Sequence, residues 1–303
     1  MNNSMRNFKM KKLLIASTAL VATAGMATAD ITLSGSAAAG YHSGMVNKVS
    51  DSSSDEYYVT EGIYSEAGVV ISMSGATDNG ITFSTSIDAT AGNGIDAGDF
   101  HYDGDNSGSF GLGAVVVSGA FGTLTFDNDG IDNLYSDSTT HDISYATTLG
   151  AVDLTIGYDA SENMDNATSA SAGYTTGGMT FTAIASEAYY GTSTNLAVSY
   201  ALNDTVTITA DTDHDADTYN SGSVQSIGAS TTLNGVSVSV ETANNNDWDL
   251  GLGYSAGGFA LSYSTDESDA WEATASTSLG GGATFAAGIN ADDAAYAGLS
   301  FAF

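Results

Sequence analysis

The side chains best equipped for chemistry in this sequence are carboxylates. Asp211, Asp213, Asp215 and Asp217 form a D-x-D-x-D-x-D run, and Asp96, Asp99, Asp103 and Asp105 gather in a second polar stretch. Hard oxygen ligands crowded into a loop suit Ca2+, which is the candidate ion, although no cofactor is required. Neither run is an EF-hand. Counting from Asp211, position six is Ala216 where Gly is required, and position twelve is Gly222 where Glu belongs. A solvated acidic loop is the alternative reading of both. A third set, Asp127, Asp129, Asp132 and Asp137, with Asp142 just beyond, falls between two regular runs over residues 127–141.

Groups suited to covalent catalysis are scarce. His42, His101, His141 and His214 all fall in predicted loops or at strand ends, where a polar solvated histidine is the expected state. No nucleophile elbow, H-x-x-x-H pair or phosphate loop follows residue 29. The chain is not expected to be an enzyme.

Charge narrows the partners. The 303 residues carry 36 acids, five Lys or Arg and no cysteine or proline. Arg6, Lys9, Lys11 and Lys12 precede an apolar segment ending in Ala27-Thr28-Ala29, the layout of a cleaved secretory signal over residues 1–29. Met10 offers a second possible start inside it. A short membrane anchor is the competing reading, but about 20 apolar residues are needed to span a bilayer as a helix. Behind the leader one base, Lys48, faces 36 acids, a formal charge of −35. Such a chain repels nucleic acid, whose binding needs cations to replace phosphate counterions, and it attracts cations. A salty or calcium-rich habitat would also favour it.

These acids are set by a repeating frame. From Asp30 the chain repeats an alternating run of eight to eleven residues, a turn, a second run and a polar connection. Ile31, Leu33, Ala37, Ala39 and Tyr41 share one face of the first run, with Thr32, Ser34, Ser36 and Gly40 opposite. Side chains alternate along a strand, so each run has one apolar and one polar face. Thr77-Asp78-Asn79-Gly80, Gly177-Gly178, Asn234-Gly235 and Gly257-Gly258 are hairpin turns, since Gly supplies positive φ without a Cβ clash. Short turns on one side, longer Asp- and Asn-rich connections on the other, and Trp or Tyr near the strand ends describe a transmembrane antiparallel up-and-down β-barrel. Runs of about 9–11 residues suffice to cross the bilayer when tilted. A soluble sandwich or solenoid also alternates, but a solenoid repeats more strictly than these hairpins. The last run, 294–303 (AAYAGLSFAF), is expected to pair with the first and close the barrel, because lipid offers no partner to an open edge. Counting runs gives eighteen strands in a single domain over residues 30–303.

The segments 72–83 (SMSGATDNGITF), 117–124 (VSGAFGTL) and 30–35 (DITLSG), with the leader and the terminal Phe303, resemble the general diffusion porins of the alphaproteobacterial (Rhodobacter-type) outer-membrane family. The resemblance implies an all-β barrel of sixteen strands, usually a homotrimer, with the third long loop folded inward to narrow the pore. It implies membrane lipid and lipopolysaccharide as surroundings, and Phe303 as the signal read by the barrel-assembly machinery. Calcium among acids near the pore occurs in some relatives. Two features depart from that pattern. The loop over 127–141 is short, and with no Arg after Arg6 the family's basic side of the constriction cannot form.

Folded inward, Asp127, Asp129, Asp132, Asp137 and Asp142 would make a negative ring, a device for cation selectivity. Parity adds Asp88, Asp153, Asp159, Glu241 and Asp249 on the polar, lumen-facing side. The expected function is passive diffusion of small hydrophilic solutes through a water-filled, cation-preferring channel in the outer membrane of a Gram-negative cell. The alternative is an acidic calcium-binding structural or adhesion barrel with little conductance.

Overall fold

The computed structural model describes residues 28–51, 54–136, 139–160, 168–188, 191–216 and 222–303. Residues 1–27 of the expected leader lie outside these, as do Asp137 and Asp217; the side chain of Asp105 is likewise outside the description. No helix among the described residues is long and apolar enough to cross a membrane, and the fold is built from strands.

The chain opens with two long strands, β1 (Thr28–Asp51) and β2 (Ser54–Ala76), followed by β3 (Thr82–Asp96). β4 (His101–Leu112) and β5 (Val115–Gly119) both pair with β3, so they are two halves of one barrel strand interrupted at Gly113 and Ala114. β6 (Gly122–Asp132), β7 (Thr140–Leu149), β8 (Val152–Tyr158), β9 (Thr168–Thr176) and β10 (Met179–Ala188) continue the meander. They are followed by β11 (Gly191–Ala201), β12 (Val206–His214), β13 (Val224–Leu233), β14 (Val236–Ala243) and β15 (Trp248–Ala256). β16 (Phe259–Asp266), β17 (Trp271–Gly280), β18 (Ala283–Asn290) and β19 (Ala295–Ala302) complete it. Apart from β4 and β5, consecutive strands pair antiparallel, and β19 returns to β1. With β4 and β5 counted together the barrel has eighteen strands. The alternating runs gave that number, and the sixteen implied by resemblance is corrected by it.

Closure follows the expected strands. Ser36 pairs with Ala302, Ala39 with Leu299 and Tyr41 with Ala297. The turn chemistry is also as read: Asn234 and Gly235 take φ of 54° and 82°, and Gly177-Gly178 and Gly257-Gly258 are positive at both positions, the primed geometry that matches strand twist.

The outer face is apolar and uncovered. Leu33, Val69, Phe110, Leu112, Ile156, Leu196, Leu252, Leu261 and Phe301 are exposed, while the residues between them in sequence point inward. Tyr41, Tyr158, Trp248 and Tyr263 fall towards one end of the strands, and Tyr174, Tyr254, Phe259 and Phe301 towards the other. Such flanking aromatics mark the two interfaces of a bilayer. A soluble sandwich would bury this face, and here it is turned outward all round.

The connections at the long-loop end differ from expectation. Several are four-residue turns held by an acidic or amide side chain. Asp266 Oδ1 accepts from Ser268 N at 2.9 Å and Ala270 N at 3.2 Å, and Asn290 Oδ1 accepts from Asp292 N at 3.1 Å and Ala294 N at 3.0 Å. Much of what reads as loop is strand carried past the barrel rim, where pairing satisfies backbone groups that a loop would leave to water.

Candidate functional site: the lumen

The inner wall is made by the polar half of each alternating run. Opposite the outward Val69, Ile71 and Ile87 stand Val70, Ser72 and Asp88, and Val70 pairs directly with Asp88. The same parity turns Asp153 inward, where its Oδ1 accepts from Thr148 Oγ1 at 2.8 Å. Across β13–β17 the inward residues include Gly228, Ser230, Ser237, Ser239, Gly251, Gly253, Ser262 and Thr274, a wall of small groups. Into it are set Glu241, Asp249, Asp266 and Glu272. Glu241 is register-paired with Asp249, and Asp249 with Asp266. Like charges placed directly opposite repel, so this arc is a concentrated negative strip of the wall. Asp249, Asp266, Glu272 and Asp292 line one polar recess of about 310 Å³ at the upper end of the arc.

The connection between β6 and β7 enters the lumen. β6 runs on to Asp132 and β7 resumes at Thr140, so the loop is residues 133–139, shorter than the 127–141 read from sequence. Asn133 is buried and its Nδ2 donates to Ser186 Oγ on β10 at 2.8 Å. Leu134 N donates to Ser169 Oγ on β9 at 3.2 Å, and the Tyr135 hydroxyl donates to Asp213 Oδ2 on β12 at 2.9 Å. Ser169, Ser186 and Asp213 all lie on the inner face, since Ala170, Ala185 and Thr212 between them face outward with the apolar residues. The loop is thus laid along the inside of β9–β12. Burial and the Asp213 carboxylate hold the Tyr135 phenol well above the usual tyrosine range.

His141 anchors the same loop. It is wholly buried, with Nε2 at 2.8 Å from Ser169 Oγ and Nδ1 at 3.0 Å from Thr140 O. The sequence reading placed it in solvated loop, and the structure corrects that: Gly157 lies beneath the ring, in space that a Cβ would fill. The His–Ser contact is not an open catalytic pair, because Ser169 is 2% exposed and its hydroxyl also serves Leu134. His42 is buried too, stacked on Tyr102 at 4.6 Å.

The predicted acids divide. Asp88, Asp153, Glu241 and Asp249 face the lumen as parity requires. Asp127, Asp129 and Asp132 lie on the end of β6, where Asp129 takes a positive φ and the ladder slips between Phe126 and Ile131. Asp142 accepts from Asp129 N at 3.0 Å and from Ala160 N at 2.7 Å, clamping the loop's base to the start of the next connection. Asp129, Asp142 and Asp159 form the one carboxylate triplet among the described residues whose ligand atoms lie within 4.8 Å of one another. Asp127, Asp129, Asp132 and Asp142 collect at the end of β6 and the start of β7 beside the loop, and Asp137 lies outside the described residues. The loop's contacts with the inner wall are made by Asn133, the Leu134 backbone and Tyr135.

Both candidate calcium runs change character. Asp211 and Asp213 are on β12, not in a loop, and strand spacing turns both into the lumen. Asp211 accepts from Ser226 Oγ, and Asn195 Nδ2 lies 3.5 Å from Asp211 and 3.4 Å from Asp213. Asp215 lies 3.5 Å from Ser193 Oγ just beyond the strand. In the other run Asp96 caps a hairpin turn, accepting from Gly98 N at 2.9 Å and Asp99 N at 3.3 Å, and Asp103 sits within β4. Asp96, Asp211, Asp213 and Asp215 are thus engaged by amides or hydroxyls along a strand or turn. Serines 169, 186 and 193 were missed in the sequence. They are ordinary inward positions of strands, and only the seated loop distinguishes them.

A family described as Gram-negative porin matches residues 16–302, and the chain belongs to that family. Among solved structures, a multiply substituted variant of the porin of Rhodopseudomonas blastica is 17% identical, with a TM-score of 0.52, covering 90% of this chain and 100% of its own. A triple mutant of the same porin is also 17% identical with a TM-score of 0.52, covering 90% and 100%. A further variant is 16% identical with a TM-score of 0.53 over the same shares. No match was found among curated protein sequences. The barrel is an outer-membrane channel protein of a Gram-negative bacterium.

Proposed function

We propose that this channel passes small hydrophilic solutes by passive diffusion with a strong preference for cations. The observation that carries the reading is the sign of the inner wall. Glu66, Asp88, Asp153, Asp211, Asp213, Glu241, Asp249 and Glu272 face inward, and no Lys or Arg is among the described inward side chains. In a narrow, partly dehydrated passage such charges act on a permeating ion with little screening. The inner wall of β13–β17, next to the strands on which the β6–β7 loop is seated, carries part of this charge.

Export by removal of residues 1–29 and assembly through the Phe303 strand belong to the same reading. Trimer formation does as well: Ala273, Ala275 and Ala287 leave a shallow outer groove beside Leu252 and Leu261, which suits close approach of a second barrel. The test is swelling of proteoliposomes in solutes of equal size and different charge. Glucosamine is expected to enter faster than glucose, and gluconate slowest. Equal rates, or gluconate fastest, would remove the charge preference, and no swelling with any of them would remove the channel.

A further inference from the structure

We infer that the β3–β4 hairpin is a second constricting element of the pore, latched to the inner wall by Phe100, and that it sets the size limit for solutes together with the β6–β7 loop. The inference rests on the protein being a channel and not on its charge preference.

β3 and β4 do not continue straight up from the barrel. Their ladder slips between Thr90 and Gly92 and again between Gly94 and Ile95, and Gly92 takes a φ of 114°. Two bulges in succession bend a strand pair and increase its twist. Glycine is needed at the bend, because a Cβ on Gly92 would meet the Ser65 carbonyl and one on Gly94 the Glu66 carboxylate. Glu66 belongs to the inner face of β2, since its cross-strand partner Ala38 alternates with the outward Ala37 and Ala39. The hairpin therefore folds back over the inside of the barrel.

Its tip ends in a prepared seat. Phe100 is 3% exposed and packs with Met45, Ala294 and Tyr296, which are 0%, 3% and 8% exposed. The Phe100 and Tyr296 ring centroids are 5.5 Å apart. Tyr296 pairs with Gly288, and both lie on the inner face, because Ala287, Ile289, Ala297 and Leu299 face lipid. A Cβ on Gly288 would stand 2.5 Å from Tyr296 Cε1 and 3.0 Å from Phe100 Cζ, so the missing side chain is the space the rings use. Ala286, one inward position deeper in β18, also packs on the cluster, which puts the tip within the lumen mouth and not above it. Val46 forms a parallel bridge with His101, and His42 stacks on Tyr102.

The two inward elements occupy different arcs. The β6–β7 loop covers β9–β12, and this hairpin covers β18, β19, β1 and β2. Between them they leave two arcs of inner wall, β3–β8 and the small-residue, acidic β13–β17. A buried aromatic latch at a pore mouth has no use in a barrel whose hairpins simply stand in solvent.

The test is single-channel conductance and polyethylene glycol exclusion for the purified full-length barrel in planar bilayers, with Phe100→Ala and Gly288→Ala as separate variants. Both are expected to raise conductance and admit larger polymers, with heat-modifiable gel mobility showing an intact barrel. Cysteines at Val46 and His101 (Val46→Cys with His101→Cys), added to Phe100→Ala in a chain that has no cysteine of its own, are expected to restore the native values when oxidised and lose them on reduction. Unchanged conductance and exclusion in folded Phe100→Ala and Gly288→Ala, or failure of the oxidised pair to restore them, would overturn the latch. The reversal potential reports the charge preference independently, so either reading can fail alone.

Discussion

Gly35 and Phe303 exchange both backbone hydrogen bonds, Gly35 N to Phe303 O at 2.6 Å and Phe303 N to Gly35 O at 2.9 Å, and the Phe303 ring lies where a Gly35 side chain would be. The last residue of the chain is thus the last rung of the seam. Further up the seam, Gly40 pairs with Gly298, and Tyr64 of β2 leans across both from the inner side. Aromatic cover of paired glycines compensates for the contacts they lack.

The two glycines respond differently to a methyl group. At Gly40 the new Cβ meets the Ala297 carbonyl, which is backbone held in the ladder, and Gly298 Cα at 2.6 Å. Gly40→Ala is expected to destabilise the closed barrel by about 1–3 kcal/mol, as overpacking does. Gly35→Ala meets only the Phe303 ring, which is free to swing outward, and is expected to be tolerated. The melting temperature of the heat-modifiable gel band distinguishes them, and equal effects would contradict this account of the seam.

Asn133 ties the β6–β7 loop to β10 in a buried contact. Asn133→Ala is expected to cost the loop about 1–3 kcal/mol by removing a buried hydrogen-bond partner while leaving barrel melting nearly unchanged. Open-channel current noise should rise. Quiet current from a folded Asn133→Ala barrel would mean that the loop is held elsewhere.

Tyr135 supplies a pH prediction. Its folded pKa is raised above the unfolded value, so the stability from the Tyr135–Asp213 bond is fully present below the unfolded tyrosine pKa and is lost only as pH rises through the higher folded value. Loop seating should therefore persist through neutral and mildly alkaline pH. Tyr135→Phe removes the bond at every pH and is expected to show the Asn133→Ala noise without any pH dependence. A change in native loop noise near pH 8 would point to another titrating group.

Glu241 and Asp249 face each other across β14 and β15 on the inner wall of β13–β17. At about 7 Å from a passing ion in water-like dielectric each contributes roughly 0.6 kcal/mol, about a factor of three in local cation concentration before screening. Glu241→Gln with Asp249→Asn is expected to lower the potassium-to-chloride permeability ratio several-fold with conductance in concentrated salt nearly unchanged. An unaltered ratio would place selectivity elsewhere in the lumen.

The barrel was legible in the sequence because alternation is local. Ile31, Leu33 and Tyr41 announce their face, Asn234-Gly235 announces its turn, and parity alone turns Asp88, Asp153, Glu241 and Asp249 inward. What was hidden depends on distance along the chain. Tyr135 and Asp213 are 78 residues apart, and nothing near either names the other. The acid run at Asp211 was read as loop because alternate aspartates fit a polar loop and a strand's inner face equally well. The inward hairpin was hidden because residues 91–108, rich in Gly, Asp and Asn, lack the apolar alternation by which the other strands are recognised. His141 was read as solvated because burial by a folded-in loop leaves no mark on its neighbours.

The central claim is that an inner wall whose described charges are all acidic makes this channel prefer cations. The most direct measurement is the reversal potential of the reconstituted channel across a KCl gradient at low ionic strength. A potential of the sign set by potassium, shrinking as both solutions are made more concentrated and the carboxylates are screened, is the predicted result. A potential near zero, or of the sign set by chloride, would contradict it.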